Sequence, residues 1–158
     1  MGKPRLMVAF RNSSVDDWVR SDKFDMTIVP FHTGIFKNPE TQSLDRNGYP
    51  IIISSPEQAF LECLHLVPDH YNYMDLYYIM EQLTSLDPVK VQSALENTSS
   101  QRVKRMFLYM AEKAGHYWFD MLDTGKLGLT DSKLKLVDNG VYISKYRITV
   151  PKELNDYE

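Results

Sequence analysis

One cysteine stands in 158 residues, so Cys63 can close no disulfide within the chain. It lies between Phe60 and Leu64 on the apolar side of an expected helix, where a small core residue in a reducing compartment is the simplest reading. No apolar run approaches the ~20 residues that a bilayer-crossing helix requires. The opening MGKPRLMVAF lacks the apolar core and small-residue cleavage site of a signal peptide. Leu6 occupies the position where a myristoylation motif starting at Gly2 needs Ser or Thr. These absences together predict a cytoplasmic protein.

Catalytic and cofactor motifs are missing too. There is no CxxC or HExxH, hence no metal spacing, and no GxxxxGK[ST] or GxGxxG to cradle phosphates. The expectation is no cofactor, no metal and no enzyme. Internal repeats, low-complexity tracts and glycine-serine linkers are also absent. A large charge imbalance is lacking: 18 Lys and Arg face 21 Asp and Glu, a formal net charge of −3. That balance argues against a chain that coats nucleic acid.

What is present is an ordinary globular composition, 43% hydrophobic and 25% charged, on a length that fits one domain spanning 1–158. The first half reads as strands. Leu6–Phe10 and Met26–Phe31 are short β-rich runs, the second with Pro30 near its end, and Ser13 or Ser14 can cap a short helix through Val15 and Trp18. Asn47-Gly48 between two runs is a hairpin signal. Helices follow. Ser55-Pro56-Glu57-Gln58 offers a cap, a proline at the first helical position and a capping-box partner for a helix that Pro68 ends. Helical spacing predicts a second helix over Tyr73–Leu83, a third after Asp87-Pro88, a fourth over Ser99–Ala114 closed by Gly115, and a short fifth over Tyr117–Leu122. The tail returns to strand: Leu134–Val137, a turn at Asp138-Asn139-Gly140, Val141–Ile143, and Tyr146–Val150 closed by Pro151. The predicted class is α+β, with N- and C-terminal strands sharing a mixed sheet against four to five helices.

Individual reactive side chains fare poorly as candidates. His65 and His70 straddle a helix end, His32 follows a strand and His116 follows a helix stop, and none has a nucleophile beside it in sequence. Cys63 as a nucleophile would need a partner base and an electropositive setting, and its place between Phe60 and Leu64 makes a small core residue the simpler reading. Asp16-Asp17 and the scattered carboxylates show no pairing that would split their pKa values. Tyr71, Tyr73, Tyr77 and Tyr78 with Met74 and Met80 read as core packing with hydroxyls at a wet edge; a partner groove is the other reading.

Charge patterning is more informative. From Phe60 to Thr98 six carboxylates oppose the single Lys90, whereas Ser99–Gly115 sets Arg102, Lys104, Arg105 and Lys113 against Glu112 alone. The fourth helix therefore combines an apolar stripe (Val103, Phe107, Leu108, Ala111, Ala114) with a basic first turn. That turn is either a solvated face that neutralises the preceding acidic helices, or a docking surface for a phosphate backbone or an acidic protein. Arg105, whose stem can lie along the stripe, is the most structural of the three.

Four stretches resemble a known family: ISSPEQAFLECLHLVP (53–68), LYYIMEQLTSLDPVKVQSALE (76–96), VKRMFLYMAEKAGHYWF (103–119) and GVYISKYRITVPKEL (140–154). They are similar to the C-terminal domain of the AbiEi antitoxins, the transcriptional-regulator half of type IV toxin–antitoxin (abortive infection) systems. The resemblance implies a non-enzymatic domain paired with a nucleotidyltransferase-like toxin, which it counters without a tight, stable complex. It also implies repression of the protein's own operon, a role in which an N-terminal winged helix joins this domain. No room for a winged helix precedes Leu6, so the expected unit is the C-terminal domain without it. The residues expected to form its electrostatic surface are Arg102, Lys104 and Arg105, with Lys145 and Arg147 on the last strand. The alternative function is a stand-alone nucleic-acid-binding accessory domain that uses the basic helix face.

Overall fold

The computed structural model describes residues 5–10 and 27–158. The chain divides into two compact units, 1–37 and 38–158. In the first, β1 (Arg5–Phe10) and β2 (Thr27–His32) run parallel, with Val8 opposite Pro30. Pro30 donates no backbone hydrogen bond, which a pair with two open outer edges tolerates. The short helix expected after Ser13 lies outside the described residues.

The second unit opens on an antiparallel hairpin of β3 (Thr41–Arg46) and β4 (Tyr49–Ser54). Asn47 and Gly48 both take positive φ, 54° and 83°, as a two-residue primed turn requires. The Gly48 N–H is held by the Asp45 carboxylate at 3.1 Å. Four helices follow, and each start obeys its sequence signal. Ser55 caps α1 (Pro56–His65), Asn72 caps α2 (Tyr73–Gln82), Asp87 caps α3 (Pro88–Glu96) and Ser100 caps α4 (Gln101–Ala114). The capping box of α1 closes on one side only. The Gln58 amide turns forward to Glu62, and the Ser55 N–H donates to the Glu40 carbonyl instead. Gly115 ends α4 in the left-handed region at φ 72°.

The core is built around α4, which packs against α1 and α2. Phe107 meets Phe60 edge-on at 5.8 Å between centroids and Trp118 at 5.8 Å, and His116 stacks on Trp118 at 5.1 Å. Trp118 sits in a 3₁₀ turn (Tyr117–Met121) where a fifth helix was expected, and its indole N–H donates to the Leu83 carbonyl at 2.9 Å. The aromatic thus closes the end of α2 while filling the core.

The α+β class holds, and among the described residues no pairing joins the N-terminal strands to the C-terminal ones. Among the described residues there are three separate sheets, and the last is β5 (Leu134–Lys135), β6 (Val141–Ile143) and β7 (Ile148–Val150) in the order β5-β7-β6. β7 pairs parallel with β5 and antiparallel with β6, so the turn at 138–140 does not join a simple hairpin. Gly140 explains the route: a Cβ there would collide with the Val150 carbonyl and crowd Val137, so only glycine lets the chain pass. Beyond β7, Pro151 does not end the structure but opens a short α5 (Lys152–Asp156) that packs on α2.

Phe107→Ala removes a ring that joins Phe60 and Trp118. It is expected to cost about 3–5 kcal/mol, read as a lowered urea midpoint with unchanged slope.

Candidate functional site: the cations of α4 and the last sheet

Helix α4 carries more than an apolar stripe. Every residue from Val103 to Ala111 is buried, including Lys104 and Arg105, so its basic first turn is not a wet face. Buried cations are tolerated only when their donors are satisfied, and here main-chain carbonyls do most of that work. The Arg102 guanidinium donates to the carbonyls of Leu64 (3.1 Å), His65 (3.0 Å) and Val67 (3.2 Å), and to the Tyr73 hydroxyl (3.2 Å). It thereby closes the C-terminal end of α1, where orphan carbonyls and the helix dipole favour a cation. Lys104 Nζ donates to the Leu127 carbonyl at 2.5 Å, and burial lowers its pKa.

Arg105, only 1% exposed, organises the loop before β5. It donates to the carbonyls of Ser132 (2.5 Å) and Thr130 (2.8 Å), to both hydroxyls, and to Gln101 Oε1. Gln101 completes the clamp, bonding the Gly128 carbonyl at 2.9 Å and accepting from the Thr130 N–H at 3.0 Å. Burial, and then the nearby Arg147, push the Arg105 pKa down from its ordinary value. A guanidinium nonetheless stays charged in a protein.

Three of the five side chains expected to form an electrostatic surface are therefore spent on holding the fold, and Lys104 and Arg105 are out of a partner's reach. Among the described ion pairs none joins them to the acidic helices, and only Glu96 acts on Lys104 through its charge. The other two, Lys145 and Arg147, are exposed. Lys145 bonds Glu112 at 2.6 Å and lies over the Tyr146 ring, while Arg147 approaches Asp131 at 3.9 Å. Burial opposes ionisation of Glu112, but bonds from Lys145 and the Tyr146 hydroxyl outweigh it and hold its carboxyl below the usual range. The same contact and burial raise the pKa of Tyr146, and burial pushes Tyr109 up to about 12.

Lys145 and Arg147 were expected on the last strand but lie in the turn between β6 and β7, where Arg147 takes a left-handed φ of 55°; sequence reading also missed Lys133, Lys135 and Tyr142, which are exposed at the last sheet. The register places Lys135, Thr149 and Tyr142 side by side across the three strands. The alternation Lys133-Leu134-Lys135-Leu136 carried that signal, because period two separates a wet face from a buried one.

The remaining candidates are structural. His116 Nε2 faces the Met80 carbonyl at 2.6 Å. Burial, with Arg102 nearby, lowers the pKa of His65, and burial raises that of the half-buried Cys63 thiol, the opposite of an activated nucleophile. Among the described residues no three His, Cys, Asp or Glu gather as a metal site, and no helix is long and apolar enough to cross a membrane. A groove of about 590 Å³ lined by Pro68, Tyr73, Met74, Tyr78, Arg102 and Pro151 holds no histidine. Arg102 spends four hydrogen bonds there on groups of its own chain.

Two measurements check this picture. Arg105→Ala strands the carbonyls of Thr130 and Ser132 and should destabilise the chain by about 3 kcal/mol. Arg105→Lys should recover little of that, because an ammonium cannot span both carbonyls as a planar fork does. The second concerns pH. With Tyr109 raised from 10.0 to about 12, the unfolded state loses its proton first. Folded chains then bind more protons, so stability falls as pH rises from 10 toward 12. Denaturant midpoints across that range should drop, and Tyr109→Phe should flatten the drop.

A family model described as "Transcriptional regulator, AbiEi antitoxin, Type IV TA system" matches residues 6–151. No curated protein and no solved structure matches the chain significantly. The match runs through the strands, the helical block with α4 at its centre and the last sheet, and the chain therefore belongs to the AbiEi antitoxin family of type IV toxin–antitoxin systems.

Proposed function

We infer that the chain acts as an antitoxin that counters a nucleotidyltransferase-like toxin in the cytoplasm by binding and not by catalysis, through a functional and not a tight complex. The observation that carries this reading is the family match over 6–151, nearly the whole chain. Further features support it. His116 and Glu112 are engaged by groups of the fold, burial pushes the Cys63 thiol away from its reactive form, and Lys145 and Arg147 are exposed. Repression of its own operon is the second half of the reading, in keeping with the regulator description of the family.

The exposed pair Lys145 and Arg147 is the part of the expected surface that a partner can reach. Their side chains are 62% and 46% exposed, and their ion pairs with Glu112 and Asp131 are of the solvent-screened kind. An acidic patch on a partner displaces such pairs at little cost.

Co-expression with the cognate toxin tests the reading. The parent chain should restore growth, and Lys145→Glu with Arg147→Glu should weaken rescue at unchanged soluble yield. Full rescue by the double reversal overturns the surface assignment. Absence of rescue by the parent overturns the antitoxin reading.

A further inference from the structure

The outer face of the β5-β7-β6 sheet carries an arrangement that the family match does not assign. Lys135, Thr149 and Tyr142 lie in one row across the strands. Lys133 reaches over β7 to place its ammonium 5.5 Å from the Tyr142 ring, a contact that fixes both side chains on the same face. Arg147 lies in the turn just before β7, is exposed, and donates to the Asp131 carbonyl at 3.0 Å. Tyr142 is 44% exposed, and no described aromatic side chain covers its ring.

We propose that this face binds single-stranded RNA, with Tyr142 as the stacking platform for a base and Lys133, Lys135 and Arg147 as phosphate contacts. An exposed aromatic on a sheet presents a flat π-surface that any unpaired base can cover, which a base inside a duplex cannot do. A cation already over the ring adds to the attraction for a phosphate beside a stacked base. The Thr149 hydroxyl next to Tyr142 offers a partner to a ribose 2′-hydroxyl, the group that separates RNA from DNA.

Two carboxylates share the face and must be reckoned with. Asp138 pairs with Lys135 at 2.9 Å and Asp131 approaches Arg147 at 3.9 Å, but their side chains are 88% and 96% exposed. Such pairs exchange for phosphate readily, since exposed ion pairs contribute only ~0–1 kcal/mol. Lys133 has its ammonium over the ring and no carboxylate partner among the described ion pairs. The platform is also rigid from beneath: Ile148, on the opposite side of β7, is fully buried, and the Arg105 clamp on Thr130 and Ser132 sets where Lys133 starts.

The inference stands apart from the antitoxin reading, because the purified chain and an oligonucleotide suffice to test it and no toxin enters the assay. Fluorescence anisotropy with fluorescein-labelled U12 at ~50 mM salt should show saturable binding that weakens as salt rises. Tyr142→Ala should lose about tenfold in affinity, with Tyr142→Trp restoring it. Lys133→Gln, which touches no core residue, should reduce the salt slope by about one phosphate contact. The proposal fails if U12 does not bind, or if both Tyr142→Ala and Lys133→Gln bind like the parent. It fails equally if dT12 or a 12-base-pair RNA duplex binds as tightly as U12, since that would make the face a site for charge alone.

Discussion

Everything in the 38–158 unit leans on the decision to take three cations of one helix inside and end them on backbone carbonyls. A carbonyl is a weaker partner than a carboxylate, but it carries no charge to desolvate. A carbonyl also belongs to the backbone, so bonding it fixes the path of the chain. Arg102 holds the exit of α1, Lys104 the stretch at Leu127, and Arg105 the loop at 130–132. Three segments far apart in sequence are thus referred to a single turn of α4. Core aromatics supply the driving force for burial; the cations decide which backbone goes where.

That arrangement explains why the family motif and the proposed binding surface part company. The most recognisable stretch, 103–119, is recognisable for structural reasons: its charges, its glycine stop and its Trp118 each satisfy an internal group. The exposed cations near the last sheet lie elsewhere: Lys135 on β5, and Lys133, Lys145 and Arg147 in the segments that flank its short strands. The inner helix and the outer sheet still communicate through the loop that Arg105 clamps.

Legibility in the sequence followed the range of each interaction. Helix starts were readable where a cap was seen, because a cap acts over three residues; Ser55, Asp87 and Ser100 accept the bond their position demands, and Asn72, which no reading singled out, does the same for α2. The Asn47-Gly48 hairpin was readable for the same reason. The order β5-β7-β6 was not, since a parallel pairing across an intervening strand depends on contacts that local patterning does not encode. Nor was the fate of the α4 cations. A basic turn looks alike whether it meets water or the carbonyls of residues 25 positions later, and only the fold distinguishes the two. α5 was missed because Pro151 reads as a stop as readily as a start.

The clamp also has a direction in time. Acceptors for Arg102 lie upstream of α4 in the chain, so they exist when the helix is synthesised. Those for Lys104 and Arg105 lie 23 to 27 residues downstream. Until residues 127–132 arrive, the helical block has two cations with nowhere dry to go, and α4 cannot sink fully into place. The helical block therefore settles only together with the loop at 127–132, and a chain cut short before that loop lacks the acceptors that let α4 bury its cations.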